Sequence, residues 1–348
     1  MSNQFNSRNR QRDDRSPKPY AMVSFPQKPI VRKKPAGHER YLPQHCHGTL
    51  YLKLTVRTPL HVSTGVVATG EDVNKRGIPL IKTMETRDSQ QLIIPGSSFK
   101  GVVRSVYEAI TNSTLGAVKR ERGKIPFTIP RDRHPFDGRD RGKGILLCPA
   151  ERVFGAMNWQ GLVSFNDAKC EKQQFAIGFM PSLYGPDTRR KAYYKGKHVA
   201  GRKFYYNFSR AVDKGQNRGV PVQQAGTEYT FTTQIQYKNL SEAELGTLLV
   251  ILGQDKNNKI ALKIGGGKPI GMGTVTTEVT KLENYQNIRD RYTKYDTSAD
   301  TVSGEQLKEL MGKLINTAHQ NLIEAPQMKE LKNILKYPTT TKPPEGMY

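Results

Sequence analysis

The sequence predicts an α+β domain with the element order β-α-β-β-α-β. Two kinds of pattern predict this order: segments that alternate apolar and polar residues, typical of strands, and segments with helical spacing of apolar residues. Strands are predicted at 49–62, 161–169, 227–237 and within 260–282, and helices after residue 97 and at 240–254. With three polar inserts set aside, this is the ferredoxin-like split βαβ arrangement, which hosts many unrelated functions.

The first strand and helix have the clearest signals. In "TLYLKLTVRTPLHV" (49–62), apolar residues alternate with polar ones, which predicts a half-buried strand. In "IIPGSSFKGVVRSVYEAI" (93–110), either Ser97 or Ser98 is expected to cap a helix. The inner face of that helix is predicted to carry Phe99, Val102, Val103, Val106 and Ile110.

The second half of the domain repeats the pattern. "TEYTFTTQIQY" (227–237) alternates strongly, and 240–254 is predicted to be an amphipathic helix with Ser241 as its cap and Glu244 completing a capping box. Residues 260–282 predict a strand, a glycine loop and a second strand. Residues 304–336 have a helical pattern, followed by a loose tail.

These patterns divide the chain into three parts. Residues 1–40 contain five prolines and no sustained periodicity, which predicts a flexible basic arm. Residues 41–282 form the core, and residues 283–348 form a helical C-terminal segment with a tail. The core is interrupted by inserts at 63–92, 117–150 and 171–226.

Positive charge is the strongest compositional feature of the 348-residue chain. The net charge is +24, of which residues 1–40 carry +7, residues 118–144 carry +5 and residues 187–218 carry +8. Charge concentrated in a few segments is typical of a protein that binds a phosphate backbone. No apolar run is long enough to cross a membrane, the N-terminus lacks a secretory signal, and the three cysteines are scattered, so a reduced, cytoplasmic protein is expected.

The start of the first helix is predicted to bind an anion, because backbone N–H groups point outward there. Three kinds of anion could bind at this helix start. An acyl-transfer oxyanion is disfavoured, since Ser97-x-x-Lys100 and Ser164-x-Asn166 occur without the third element, Lys-Thr-Gly. A nucleotide phosphate is disfavoured, since "GGGKPIGMG" has Pro269 after the lysine and lacks the Ser/Thr of a P-loop. The phosphate of a nucleic acid backbone remains.

The segment 189–209 supports this interpretation. Six aromatic residues are interleaved with seven Lys and Arg residues. Basic side chains contact phosphates and flat rings stack on unpaired bases, a combination suited to single-stranded RNA. No metal site is predicted, because the adjacent His45, Cys46 and His47 point to alternate faces of an extended chain.

Four stretches together resemble the RAMP superfamily of CRISPR-associated proteins, in particular the backbone (Cas-seven) type of type III effector complexes. They are "TPLHVSTG", "IIPGSSFKGVVRS", "RVFGAMNWQGLVSFNDA" and "IGGGKPIGMGTV", in the order that the family requires. "GRKFYYN" additionally resembles a phrase of type III-D relatives. The resemblance covers residues 49–280.

The resemblance implies a modified RRM-like palm and a thumb built from the inserts. It also implies assembly with other type III effector subunits along a CRISPR guide RNA that pairs with target RNA. No membrane partner is expected. The expected RNA-binding residues fall in three groups. They are Ser97, Ser98, Lys100 and Arg104 at the helix start, Gly265, Gly266, Gly267 and Lys268 in the glycine loop, and Arg202 and Lys203 in the basic aromatic insert.

Some members of this family cleave target RNA with an aspartate in the loop after the first strand, a position that Asp72 matches best. That activity would need a divalent metal, Mg²⁺ or Mn²⁺, but no tightly bound cofactor is expected. Some relatives have a zinc site formed by several cysteines. Only Cys148 matches those cysteines here, so no zinc site is expected. Two alternatives stay open: a guide-processing endoribonuclease with His61 or His45 as general base, and a general RNA-binding module without enzymatic activity.

Overall fold

The structure of the protein is a computed structural model. The structure describes residues 19–87, 91–118, 125–139, 142, 144–172, 174–183, 190–212, 219–285, 293 and 300–344. Within these residues, no helix has both the length and the apolar character needed to span a membrane.

The described residues contain five α-helices and eighteen strands. The helices are α1 (Gly96–Ile110), α2 (Pro149–Phe154), α3 (Glu242–Ile251), α4 (Gly304–Asn321) and α5 (Ala325–Leu335). The strands are β1 (Tyr20–Ser24), β2 (Cys46–Val56), β3 (Ser63–Ala68), β4 (Ile81–Met84), β5 (Ile93–Ile94), β6 (Gly155–Ala156), β7 (Trp159–Gln160), β8 (Val163–Phe165), β9 (Ala168–Cys170), β10 (Ala176–Pro181), β11 (Tyr194–Lys195), β12 (His198–Val199), β13 (Gly201–Tyr205), β14 (Gly219–Gln224), β15 (Thr230–Leu240), β16 (Leu262–Lys263), β17 (Thr274–Asn284) and β18 (Asp300–Val302).

The main sheet has eight strands and antiparallel pairing throughout. Its order is β16-β17-β2-β15-β9-β5, with β18 paired to β17 and β8 paired to β15. Leu52 of β2 lies opposite Thr233 of β15 on one side and Val279 of β17 on the other. The strands predicted within 227–237 and 260–282 are confirmed; the strand predicted over 49–62 ends at Val56, and the one predicted over 161–169 is divided into β8 and β9.

Helices α1, α3 and α4 contact strands of this sheet. Alternate residues of β2, including Leu50 and Leu54, are completely buried in the same core as Phe99 and Val103 of α1 and Leu248 of α3. Helix α3 contacts α4, and α1 contacts α5. Every residue of α3 from 244 to 251 is buried, so the predicted amphipathic pattern is wrong for this helix. Its predicted cap at Ser241 and the capping box with Glu244 are confirmed.

Two predicted inserts combine into one additional sheet. Strands β3 and β4 come from the insert 63–92, and β10 and β14 come from the insert 171–226. Their order is β10-β14-β4-β3, in which β14 and β4 run parallel at the pair Val222 and Lys82. The side chain of Gln223 accepts a hydrogen bond from the Met84 N–H at 3.0 Å, which ties the two inserts together.

The expected flexible arm is ordered from residue 19 onward, and its first 18 residues lie outside the described ones. Strand β1 pairs with β13, and Val23 is 1% exposed in the core. The N–H and hydroxyl of Ser24 both donate to Glu330 of α5, at 2.7 and 2.8 Å. Buried apolar residues and paired backbone groups therefore fix this segment to the core.

The predicted serine cap of α1 is also wrong. The helix begins at Gly96, with Pro95 as its N-cap residue, so Ser97 and Ser98 lie within the first turn. The N–H of Gly96 donates instead to the carboxylate of Asp167, between β8 and β9, at 2.9 Å. A carboxylate at a helix N-terminus satisfies an unpaired donor and the positive end of the helix dipole.

Candidate phosphate-binding cavity

Three segments that are far apart in the sequence meet around one cavity of about 420 Å³. They are the first turns of α1, the strand β13, and β16 with the glycine loop that follows it. Each of these segments was singled out by the sequence for a different reason. The polar lining residues are Ser98, Ser105, Lys203, Tyr205, Lys263 and Lys268.

The charged residues that line this cavity, called the lysine cavity below, are all basic. Three of its residues are lysines, and none is an aspartate or glutamate. Three ammonium groups around one concave space repel each other, and an anion inside the cavity relieves that repulsion. The arrangement therefore favours a negatively charged group such as a phosphate.

Lys203 is held in place by three tyrosine rings. Its ammonium lies 4.7 Å from the ring centre of Tyr20, 5.2 Å from that of Tyr193 and 4.7 Å from that of Tyr205. Burial alone would lower the pKa of Lys203, but hydrogen bonding and charge interaction with Tyr205 and Tyr193 outweigh burial and raise the pKa. Lys203 is therefore a permanent cation at the edge of the cavity.

Lys263 is the most buried cation of the cavity, at 6% exposure. Its ammonium donates to the Gly271 carbonyl and to the Thr274 hydroxyl, both at 2.9 Å. Both acceptors are uncharged. Burial, reinforced by the nearby charge of Lys268, lowers the pKa of Lys263 from 10.5 to about 7.

The glycine loop presents Lys268 at the start of a short 3₁₀ turn, Lys268–Ile270. Gly267 and Gly271 flank this turn with φ values of +65° and +91°, which only glycine adopts without strain. Gly266 donates its N–H to the His61 carbonyl at 2.8 Å, so the loop is fastened to the segment after β2. Burial also lowers the pKa of Lys268.

The structure separates the predicted RNA-binding residues into three places. Ser98, Lys203, Gly265 and Lys268 line the lysine cavity, which Gly266 and Gly267 adjoin through the loop backbone. Ser97 and Lys100 line a neighbouring groove of about 590 Å³. In that groove the Lys100 ammonium donates to the Val163 carbonyl at 3.0 Å, and burial lowers the pKa of Lys100.

Arg104 and Arg202 lie in the third place, on either side of one buried carboxylate. Glu108 accepts a hydrogen bond from Arg104 at 2.8 Å and from Arg202 at 2.5 Å. Arg202 also donates to the Thr114 carbonyl, and its side chain is only 10% exposed. These contacts join α1 to β13.

Asp72 lies away from these lysines, in the connection between β3 and β4. It is fully exposed within a short 3₁₀ turn, Glu71–Val73. Hydrogen bonds from the Thr69 hydroxyl (2.7 Å) and N–H (2.9 Å) to its carboxylate lower the pKa of Asp72, so it is ionised at neutral pH. Across the described part of the chain, no cluster of three or more His, Cys, Asp or Glu residues has the geometry of a metal site.

The histidines considered as general bases lie in different surroundings. His61 is 1% exposed, and its Nδ1 is 2.6 Å from the Gln223 carbonyl. Burial lowers the pKa of His61. His45 lines a separate cavity beside Cys46, where burial and the nearby Glu242 raise the pKa of the thiol to about 11.

Sequence reasoning missed Lys263 and Ser105. The signal for Lys263 was available: it is the one charged residue in the apolar run "IALKI", directly before the glycine loop. A strand buried on both faces has no outward position for a lysine, so its presence there needs a reason. No comparable signal marked Ser105, which depends on how α1 is oriented.

The model of the RAMP superfamily matches residues 53–276, more than half of the chain, and the match includes α1 and the glycine loop. The chain belongs to the RAMP superfamily.

Among solved structures, the chain is similar to one in "Cryo-EM structure of the Type III-B Cmr-beta bound to cognate target RNA". The two are 17% identical, with a TM-score of 0.36, and the alignment covers 69% of this chain and 61% of that chain. The present chain therefore spans less than two thirds of that chain's length. No curated protein matches the chain.

Proposed function

We propose that this protein is an RNA-binding subunit of a type III CRISPR effector complex, of the backbone (Cas-seven) type. It holds the sugar–phosphate backbone of the guide RNA and positions the target RNA beside it. The observation that carries the proposal is the lysine cavity, in which Lys203, Lys263 and Lys268 converge from separate segments without an acidic neighbour in the lining. Phosphate contacts of this kind fix the position of a strand, and the guide reads the target by base pairing.

The sheet order supports a ferredoxin-like palm as the core of this subunit. The strands β17, β2, β15 and β9 are adjacent in that order with antiparallel pairing, as a split βαβ unit requires. We assign the sheet built from the two inserts to the thumb. The type III-D-like assignment rests on the sequence "GRKFYYN" alone.

The first test of the function is to purify the tagged protein from its native cells and to sequence the RNA that accompanies it. Short RNAs of repeat–spacer origin, together with other effector subunits, are the expected result. Heterogeneous RNA would instead indicate the alternative of a general RNA-binding module. Recovery of no RNA from the intact protein would refute both.

The second test measures how salt affects binding of single-stranded RNA. With about six phosphate contacts, log K plotted against log salt should have a slope of about −4, and each lost contact should reduce the slope by about 0.7. The variant Lys268→Met should lose one such contact. Lys308→Met removes an equal charge from α4, where the side chain is 57% exposed, and should leave the slope unchanged. A slope near zero for the unmodified protein would contradict the electrostatic basis of the proposal.

Target cleavage through Asp72 is a separate proposal within the same function. Its support is the position of Asp72 in the loop region after the first core strand and its exposed, ionised carboxylate. Attack by a ribose 2′-OH on the adjacent phosphate would need a divalent metal, with Asp72 acting on the proton or orienting the metal.

The test of Asp72 compares Asp72→Asn with Glu71→Gln in the assembled complex, with guide and target RNA and Mg²⁺ or Mn²⁺. Asparagine keeps an oxygen that can accept the Thr69 hydrogen bonds, so the turn should persist while the charge is lost. We expect Asp72→Asn to keep guide binding and lose cleavage, and Glu71→Gln to keep both. Unchanged cleavage by Asp72→Asn refutes the nuclease proposal only.

The guide-processing alternative has less support. A general base must come within about 3 Å of the proton it removes, and the ring of His61 is buried under the glycine loop. Cleavage of repeat-containing precursor RNA by the isolated protein, abolished in His45→Gln, would favour that alternative.

A further inference from the structure

Lys263 is the most buried cation of the lysine cavity, and its hydrogen bonds go only to uncharged groups. The acceptors are the Gly271 carbonyl and the Thr274 hydroxyl. Among the described residues, no carboxylate lies within ion-pair distance of its ammonium. A buried ammonium without a counter-charge is costly, so a lysine at this position needs a compensating partner.

The groups around Lys263 add positive charge and no negative charge. The glycine loop brings Lys268, and β13 brings Lys203 and Tyr205 to the same cavity. The facing groups from the other elements are neutral: Ser98 and Ser105 of α1, Leu335 of α5, Thr274 of β17, and Asn207 and Phe208 of the segment after β13.

We propose that Lys263 is a phosphate-binding residue of the lysine cavity and that it takes up a proton from solvent when a phosphodiester of RNA enters. The inference rests on the proposed function and adds to it a residue and a coupled proton. The phosphodiester supplies the negative charge that the protein does not provide at this position. Protein, RNA and one proton combine: the amine lone pair of Lys263 forms an N–H bond to a proton released by water or buffer, and no bond of the RNA breaks.

The direction of the coupling follows from the environment of the amine. Near pH 8 the free cavity holds Lys263 mostly neutral, since burial and the Lys268 charge lower its pKa to about 7. An anion a few ångströms away favours the charged form and returns the pKa toward its ordinary range. Binding at pH 8 should therefore take up about 0.9 proton, and the affinity should fall by about five- to tenfold per pH unit between pH 7 and 9.

The test is isothermal titration calorimetry of the protein with a single-stranded oligoadenylate at pH 8 and constant salt. The titration is repeated in buffers that differ in ionisation enthalpy, because the dependence of the observed heat on that enthalpy gives the number of protons bound. Neither the phosphodiesters nor adenine titrate near pH 8, so an RNA of this composition adds no proton of its own.

Three variants assign the proton to its residue. Lys263→Gln keeps hydrogen-bond donors for Gly271 and Thr274, and it should bind RNA more weakly with nearly no proton uptake. Lys263→Met is the second replacement, with the same expectation. Lys308→Met is the matched control on the exposed face of α4 and should take up as many protons as the unmodified protein.

The outcomes separate this inference from the proposed function. RNA binding without proton uptake overturns the role of Lys263 and leaves the RNA-binding function intact. Proton uptake that persists in Lys263→Gln and disappears in Lys268→Met assigns the proton to Lys268 and also overturns it. Absence of RNA binding by the unmodified protein overturns the proposed function itself.

Discussion

Replacement of Lys263 by glutamine should change how the stability of the RNA-free protein depends on pH. The amine is 6% exposed and bonded to Gly271 and Thr274. In the unfolded chain its pKa returns to its ordinary value of 10.5, whereas in the fold it is about 7. Each unit of difference between the folded-state and unfolded-state pKa corresponds to about 1.36 kcal/mol. The buried charge therefore opposes folding by about 5 kcal/mol at low pH.

The sign follows from which state holds the proton. Because the folded-state pKa is below the unfolded-state value, the unfolded chain binds a proton that the folded chain lacks between about pH 7 and 10.5. The free energy of unfolding of the unmodified protein therefore rises with pH across this window. From pH 7 to pH 9 this one group should add about 2 kcal/mol, and below pH 7 its unfavourable contribution is constant.

The assay is urea-induced unfolding at pH 7, 8 and 9 for the unmodified protein, Lys263→Gln and the exposed control Lys308→Gln. Lys263→Gln and the unmodified protein share all other ionisable groups, so the difference between them isolates the single amine. That difference should change by about 2 kcal/mol from pH 7 to pH 9, whatever the packing cost of glutamine. Parallel pH profiles for the two proteins would refute the buried, uncompensated charge.

Three further substitutions test the surroundings of the site. Glu108→Gln should lower the free energy of unfolding by about 3 kcal/mol, because it leaves the buried Arg202 without its carboxylate; a loss below about 1 kcal/mol in urea unfolding would contradict this. Gly273→Ala should lower the thermal midpoint, since residue 273 has φ +82° and a Cβ there would collide with the Ile264 carbonyl; an unchanged midpoint would argue against this loop geometry. Ser241→Ala should cost about 1 kcal/mol by removing the α3 cap, and equal denaturation midpoints would show that the cap is unimportant.

Elements with strong local patterns were predictable from the sequence. The alternation in β15 and the capping box at Ser241 identify a strand and a helix start, because each depends on residues within a few positions. The prediction of a serine cap for α1 failed for the opposite reason. Its capping group is Asp167, which approaches from 71 residues further along the chain.

Burial on every side is also invisible to local pattern. Helix α3 is predicted to be amphipathic, but in the fold, where it contacts α4 and α1, every residue from 244 to 251 is buried. The approach is close, since a Cβ at Gly246 would collide with the carbonyl of Leu314. Similarly, β1 is held by pairing with β13 and by contacts with α5, both far along the chain.

The sequence by itself determined the family motifs, the series of strands and helices, the concentration of positive charge, and the residues of α1 and the glycine loop that deserved testing. Only the tertiary structure decided which basic residues share a site. In the fold, Arg104 and Arg202 form ion pairs with the carboxylate of Glu108. Lys203 and Lys268 line one cavity together with Lys263, which the sequence did not predict. Helical and strand patterns arise from neighbouring residues, whereas burial and charge pairing depend on contacts between segments that the chain order does not specify.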